Sequence, residues 1–305
     1  MMVGQLTSAE LGRRLVGKGL GIRTGPFGLR IRTDIAAVHR GIGLLYADYP
    51  IVADEEFCDF AIELRRPSGL RRWVKPQVSM LFDHKPLFEP MPIGHALHVL
   101  EWALNWCVSS QEHQYLILHA ATVERDGLAA ILPAPPGSGK STLCAGLIHR
   151  GWRLLSDEFA LLSLADGSLH ALARPVSLKN RSIDIVRHYA PGSVFSAASY
   201  DTAKGTVAHL KVPIEHLVRV QETARPAWIL FPRWVADSPP VLAPRDKPGT
   251  LLQLTRNAFN LGVGGREAFH ALADAVSDSD CYDFSYGSLD DAVQVFDDLV
   301  RARRP

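Results

Sequence analysis

The distribution of apolar and polar residues along the chain predicts two regions of different character. In the first region, GPFGLRIRT (residues 25 to 33) and FCDFAIELR (57 to 65) alternate apolar and polar side chains, as half-buried strands do. Residues 93 to 108 repeat apolar side chains at helical spacing instead, which predicts a helix. We therefore predict a mixed α+β region over residues 1–112.

From residue 113 onward, strongly apolar strands follow one another closely. The predicted elements are strand, strand, helix, strand and strand, at 115–124, 128–134, from about Gly139, 152–156 and 159–164. A last helix is predicted over 289–304, because acidic residues open it and arginines end it. The order of strand, loop, helix and strand is typical of α/β domains that bind a nucleotide at the carboxyl ends of their strands. We therefore predict a second domain over 113–305.

Composition and charge exclude several classes of protein. The 305 residues are 47% hydrophobic and 21% charged, as in globular proteins with a substantial core. The net charge of +1 gives no electrostatic reason to expect nucleic acid or an anionic membrane surface as the main partner. No secretory signal and no run of eighteen apolar residues occurs, so we expect a cytoplasmic protein.

Cysteine, histidine and aromatic residues suggest no separate site. The four cysteines lie far apart without metal-ligand spacing, and the histidines have none among themselves, so we predict neither disulfides nor zinc. We also predict core positions for four aromatic residues that lie in apolar patterns without basic neighbours, namely Trp102, Trp106, Phe259 and Phe269.

The segment APPGSGKST, residues 134–142, has the pattern of a phosphate-binding loop. Glycines at two positions permit backbone angles that turn successive N–H groups inward, and the following helix adds the positive end of its dipole. Lys140 is placed to reach the β and γ phosphates, and Ser141 to bind Mg²⁺. The residues predicted to bind ATP are Ala134, Pro135, Pro136, Gly137, Ser138, Gly139, Lys140, Ser141 and Thr142. The alternative is a glycine turn that merely starts a helix.

An acidic pair, Asp157 and Glu158, follows the next predicted strand. We expect this strand to lie one parallel strand away from the loop, so that both carboxylates meet a bound metal at the same sheet edge. The predicted Mg²⁺ ligands are therefore Ser141, Asp157 and Glu158. A surface acidic turn without function is the alternative.

The segment HAATVERDGLAAILPAPPGSGKSTLCAGLIHRGWRLLSDEFAL resembles the core of the bacterial HPr kinase/phosphorylases. The separations of His119 from Ala134 and of Asp157 from Lys140 match those of that family. More specifically, the chain resembles the HPr kinase-related kinase A group in segments spread over most of its length: RTGPFGLRI, LEWALNWC, LILHAATVER, PPGSGKSTLCAGL, RGWRLLSDE, RPVSLKN, KGTVAH and CYDFSYGSLDDAV.

This resemblance implies an α/β fold with a P-loop kinase core of the HPr kinase/PEP carboxykinase type. It also implies that Asp157 takes the proton of the acceptor hydroxyl and that His119 lies beside the acidic pair. A lone strand histidine in the core is the alternative for His119. Glu158 stands where the compared relatives have Asp, and the Glu and Arg signature of phosphorolysis is absent, which counts against a phosphorylase activity.

Two cations in RPVSLKN complete the predicted catalytic set of Asp157, His119, Lys140, Arg174 and Lys179. Arg174 and Lys179 are candidates to neutralise phosphoryl charge, with solvated surface charges as the alternative. Lys204 is a weaker candidate for a contact with substrate or with a neighbouring subunit.

The sequence thus predicts a kinase that uses ATP and Mg²⁺ to phosphorylate a serine or threonine hydroxyl of a protein or peptide. The resemblance implies a PqqD-like peptide-binding protein as a possible partner and self-association into a homo-oligomer. A small-molecule kinase on the same scaffold and a non-catalytic nucleotide-sensing module remain alternatives.

Overall fold

The computed structural model describes residues 1–69 and 74–303, and it divides the chain into two compact units. The first comprises Met1–Val108, Ser177–Ile183 and Ser193–Leu217, and the second comprises Ser109–Val176, Asp184–Gly192 and Val218–Pro305. Two segments from the later part of the chain thus group with the N-terminal part. The boundary between residues 112 and 113 remains a prediction.

The strands of the described residues are numbered in chain order. They are β1 Leu20–Thr24, β2 Phe27–Thr33, β3 Ile51–Val52, β4 Phe60–Arg65, β5 Gln77–Phe82, β6 Lys85–Pro86, β7 Met91–Pro92, β8 Tyr115–Arg125, β9 Leu128–Pro133, β10 Arg153–Ser156, β11 Phe159–Ser163, β12 Leu169–His170, β13 Val176–Lys179, β14 Ser199–Thr202, β15 Gly205–Leu210, β16 Arg225–Trp234, β17 Val241–Pro244 and β18 Asp280–Tyr286.

The α-helices of the described residues are numbered in the same way. They are α1 Ser8–Val16, α2 Ala36–Leu45, α3 Ala96–Gln111, α4 Lys140–Ile148, α5 Arg181–Tyr189, α6 Ile214–Leu217, α7 Lys247–Asn257, α8 Leu261–Asp278 and α9 Leu289–Arg303. None of these helices combines the length and apolar character that a membrane crossing requires.

The first unit contains a mixed sheet in the order β3-β1-β2-β4-β5-β6, with β7 beside β5. Its strands β1 and β2 form an antiparallel hairpin, whereas β2 and β4 are parallel. Alternate side chains of these strands are buried, as the sequence pattern predicts for Phe60, Ile62 and Leu64. A smaller sheet in the order β13-β15-β14 belongs to the same unit.

The second unit is built on a mixed sheet in the order β12-β11-β8-β9-β16-β18-β17, with β10 also paired with β8. Strands β9, β16 and β18 are parallel to one another, and β8 is antiparallel to its neighbours β9, β10 and β11. Apolar side chains of β8, β9 and β16 form a buried cluster with α7 and α8. The fold is therefore mixed α/β with mixed sheets.

The predicted elements of this unit are present, with one difference in their arrangement. Strand β10 runs in the same direction as β9, as expected, but β8 lies between them and runs antiparallel to both. The physical reason is the tight turn at Asp126 and Gly127, which have φ of 55° and 79° and fold β8 directly back onto β9. The last helix ends at Arg303, and the predicted final residue Arg304 lies outside the described residues.

The prediction of core positions for four aromatic residues is wrong for three of them. Trp102, Phe259 and Phe269 have exposed fractions of 37%, 49% and 43%. Apolar spacing identifies the buried face of an element, but rings at the margin of that face stay in contact with water. Among the cysteines, Cys107, Cys144 and Cys281 are buried and Cys58 is half-buried, and all four are free thiols.

A buried ion pair joins the beginning of β10 to the end of β8. The guanidinium of Arg153 donates to the carboxylate of Glu124, and both side chains are at most 3% exposed. Arg153 also donates to the backbone carbonyls of Arg219 and Glu222, at 2.7 and 2.9 Å. Because Glu124 accepts the N–H of Gly127 as well, the pair holds the β8–β9 turn and β10 together.

Replacing Glu124 by Gln leaves the buried Arg153 guanidinium without its negative partner. The loss of one partner of a buried pair costs about 3–5 kcal/mol, so we expect the Tm to fall by on the order of 10 °C in thermal unfolding. The matched control is Asp298→Asn, which removes the partner of the exposed Arg301 and costs about 1 kcal/mol or less. Equal shifts for the two variants would contradict a structural role of the buried pair.

Candidate active site

The glycine-rich loop that the sequence predicts to bind phosphate connects the end of β9 at Pro133 to the start of α4 at Lys140. Gly137 and Gly139 have φ of 86° and 93°, in the left-handed region that favours glycine. Ala134 is not among the residues with positive φ, so the missing first glycine of the pattern requires no unusual backbone angle. Residues Pro135 to Gly137 are exposed, whereas Ala134 is buried.

Two residues at the ends of parallel strands hold this loop in place. The backbone N–H of Trp234 donates to the carbonyl of Ser138 at 2.9 Å, and the hydroxyl of Tyr286 donates to the carbonyl of Gly139 at 3.1 Å. A Cβ atom at Gly139 would lie 2.7 Å from the Tyr286 hydroxyl, so only glycine fits there. Burial raises the pKa of Tyr286, which keeps this hydroxyl protonated as a donor.

Lys140 is the first residue of α4 and is 8% exposed. Its Nζ atom is buried and has no hydrogen-bond partner among the described residues. A buried ammonium without a partner costs free energy, and an anion at the helix N-terminus would offset this cost. The side-chain oxygen of the neighbouring Ser138 is likewise buried without a partner in the described part of the chain.

The acidic pair interrupts a long strand that runs antiparallel along β8. Ser156 is opposite Thr122 and Phe159 is opposite His119, so Asp157 and Glu158 lie beside the segment of β8 between these two partners. On its other edge, β8 pairs Ala120 with Pro133, the last residue before the loop. The acidic pair and the start of the loop therefore lie beside the same segment of β8, on its two opposite edges.

The side chains of the acidic pair differ in their surroundings. Asp157 is buried at 6% exposure, whereas Glu158 is half-buried and its Oε1 lies 3.5 Å from Nε2 of His119. The His119 ring also packs near Phe259, with 5.8 Å between the ring centroids. The structure therefore brings His119 together with Glu158, at the position that the sequence motif predicts.

The thiol of Cys144 responds to charges from both parts of the site. Burial raises its pKa well above the ordinary value, the negative charge of Asp157 raises it further, and the ammonium of Lys140 lowers it. Cys144 follows Lys140 by about one helical turn in α4. The opposite charges of Lys140 and Asp157 thus act on the same buried group.

The predicted cations have different locations. Arg174 belongs to the second unit and is 7% exposed, so it is not the solvated surface charge that the sequence left as an alternative. Two residues before it, the N–H of Leu172 donates to the carbonyl of Leu155 in β10 at 2.7 Å. Lys179 and Lys204 belong to the first unit, where Asn180 donates to the Lys204 carbonyl.

The residues around the loop fit a magnesium ion together with a triphosphate. Mg²⁺ binds oxygen ligands, commonly one or two carboxylates together with phosphate oxygens. Asp157, Glu158 and the half-buried Ser141 provide such oxygens, and the partnerless ammonium of Lys140 fits the negative charge of a phosphate. Among the described residues, no group of three or more His, Cys, Asp or Glu side chains is placed to hold a metal ion.

Comparisons with known proteins add little to this geometry. No protein-family model matches the chain, and no curated protein sequence matches it. The Hpr(Ser) kinase/phosphatase from Coxiella burnetii is similar in structure at 15% identity and a TM-score of 0.29, over 62% of this chain and 95% of that chain. At this TM-score the similarity carries no argument about fold or function.

Sequence reasoning missed the two residues that support the loop, Trp234 and Tyr286. Both are the last residues of parallel strands, and they are direct neighbours in the register of β16 and β18. A signal for them exists in the strand pattern, because ligands of α/β sheets bind outside the carboxyl ends of the strands. The approach of these two strand ends to the loop depends on strand order, which the linear sequence does not give.

Replacing Lys140 by Met tests whether its ammonium lacks a partner in the ligand-free protein. Because Met removes an unpartnered buried charge and keeps the length of the side chain, we expect the Tm of the ligand-free protein to stay equal or rise. The control Lys211→Met removes an ammonium that lies 2.7 Å from Asp48, and should lower the Tm. A clear fall for Lys140→Met would show that its ammonium has a structural partner.

A pair of glycine variants tests the close approach at Gly139. Both Gly137→Ala and Gly139→Ala place a Cβ atom in the left-handed region, at about 1–2 kcal/mol each. Only at Gly139 would the new atom also meet the Tyr286 hydroxyl, since nothing lies within 4 Å of the Gly137 position. We expect the larger decrease in Tm for Gly139→Ala; equal decreases would refute the steric role of Tyr286.

Proposed function

We propose that this protein is an Mg·ATP-dependent kinase that phosphorylates a serine or threonine hydroxyl of a protein or peptide. The observation that carries the proposal is the buried, partnerless ammonium of Lys140 at the start of α4, behind a loop with two left-handed glycines. Backbone N–H groups in such a loop, a helix N-terminus and a lysine together form a site for a polyphosphate.

In this proposal the loop residues 134–142 hold the phosphates, and Ser141, Asp157 and Glu158 hold the metal. A bound Mg²⁺ would supply positive charge that neutralises the phosphates. Lys140 adds a positive charge at the β and γ phosphates. The buried Arg174 is the candidate within the same unit for a further cation; Lys179 remains a prediction from the sequence.

Asp157 orients the acceptor hydroxyl and takes its proton. The acceptor oxygen bonds to the γ-phosphorus while the bond from that phosphorus to the β–γ bridging oxygen breaks, so that ADP leaves. Burial of Asp157 supports this role, because a water-poor site strengthens electrostatic interactions with the reacting groups. In this proposal His119 acts as a positioning residue, since its ring nitrogen lies 3.5 Å from the carboxylate of Glu158.

The acceptor and partners follow from the sequence resemblance, not from the geometry of the site. We propose a peptide or protein acceptor, presented with a PqqD-like peptide-binding protein, for a cytoplasmic kinase that self-associates. Neither the loop nor the acidic pair distinguishes a peptide hydroxyl from that of a metabolite. Incubation with labelled ATP and with peptide and metabolite fractions separates these acceptors.

Two substitutions separate nucleotide binding from phosphoryl transfer. Lys140→Ala should abolish calorimetric binding of Mg·ATP, because the phosphates lose their buried cation. Asp157→Asn should retain binding and lower phosphorylation by at least about a hundredfold, the usual contribution of a positioned general base. The exposed Lys247→Ala is the control and should leave both measurements unchanged.

Three outcomes of this experiment would count against the proposal. Absence of Mg·ATP binding by the unchanged protein would exclude a kinase. Tight binding together with unchanged turnover in Asp157→Asn would favour the nucleotide-sensing module. Phosphorylation of metabolites but of no peptide or protein would favour the small-molecule kinase.

A further inference from the structure

Trp234 is an exposed aromatic residue at the edge of the proposed nucleotide site, and it has no role in the chemistry described above. It ends β16, and 51% of its surface is exposed to solvent. A single exposed aromatic ring is ordinary on a protein surface and does not by itself mark a binding site. Its position relative to the phosphate-binding loop indicates what it binds.

The ring of Trp234 is fixed at two points. Its backbone N–H donates to the Ser138 carbonyl inside the loop, and its indole Nε1 donates to the carbonyl of Gly287 at 3.1 Å. Gly287 is itself held closely, because a Cβ atom there would lie 2.6 Å from the carbonyl oxygen of Ser238. The exposed ring therefore has a defined orientation, which lowers the entropy lost when a flat ligand stacks on it.

Strand order places this ring on one side of the loop and the acidic pair on the other. The order β11-β8-β9-β16-β18 puts β9 and its loop in the middle, with Asp157 and Glu158 beyond β8 and Trp234 on the adjacent parallel strand β16. The β and γ phosphates and the metal belong on the side of the acidic pair. The rest of a nucleotide then extends toward the carboxyl ends of β16 and β18, as in other sheets with parallel strands.

We infer that Trp234 is the stacking surface for the base of the bound nucleotide. This inference rests on the proposed function, since it assumes a nucleoside triphosphate in the loop. Aromatic rings stack on the π-face of any base, so Trp234 adds affinity for the nucleoside part without by itself selecting adenine over guanine. The contact lies away from the reacting phosphorus, and Trp234 is a binding residue, not a catalytic one.

The substitution Trp234→Ala removes the indole ring and so tests the contribution of the ring alone. Alanine keeps the Cβ atom and the backbone N–H that bonds to Ser138, so the loop retains this support. Trp234→Phe keeps a stacking ring without the indole N–H. Phe269→Ala removes another exposed aromatic ring, from α8, and serves as the control.

Calorimetric titration with Mg·ATP and with magnesium tripolyphosphate, which has no base, tests the inference. For Trp234→Ala we expect the Kd of ATP to rise about tenfold, the usual effect of losing one base-stacking ring. The Kd of tripolyphosphate should stay unchanged. Trp234→Phe should retain most of the ATP affinity, and Phe269→Ala should bind both ligands as the unchanged protein does.

The outcomes distinguish this inference from the proposed function. If Trp234→Ala weakens both ligands equally, the ring acts through the loop, and the stacking role is overturned. The same holds if it weakens neither while the unchanged protein binds both. If the unchanged protein binds neither ATP nor tripolyphosphate, the stacking role and the proposed kinase are overturned together.

Discussion

The candidate site depends on the pairing of β8 with different strands on its two edges. One edge of β8 binds β9, which leads into the phosphate-binding loop, and the other binds β10 and β11, which flank the acidic pair. Strand pairing fixes which residues of neighbouring strands lie opposite one another, because a shift of one residue would turn every side chain to the opposite face. Backbone hydrogen bonds therefore fix the position of the start of the loop relative to the acidic pair.

The same strand order places different kinds of side chain on the two sides of the loop. Carboxylates are on one side of the loop, beyond β8, and the aromatic residues Trp234 and Tyr286 are on the other, on β16 and β18. Along this edge the structure places the acidic pair, the buried Lys140 and the exposed ring of Trp234 in that order. The proposed nucleoside triphosphate has its charge at one end and its base at the other, in the same order.

Buried polar contacts hold the strands of this sheet together away from the loop. The ion pair of Glu124 and Arg153 joins the β8–β9 turn to β10 at the opposite end of these strands. Burial makes the pair sensitive to loss of either partner, whereas exposed pairs such as Arg301 with Asp298 contribute little. The alignment of β10 with the β8–β9 turn therefore depends on a pair whose members the sequence analysis did not single out.

The sequence by itself determined the local elements and the residue types of the glycine-rich loop. Apolar patterns located β8 and β9, the order of glycines, lysine and serine placed the start of α4, and the acidic and basic residues at its two ends located α9, because backbone angles and side-chain types are local properties. Only the tertiary structure decided that β8 lies between β9 and β10, that Arg174 is buried, and that Trp234 and Tyr286 hold the loop. These facts depend on pairing between residues that are distant along the chain, and the linear pattern does not specify which strands become neighbours.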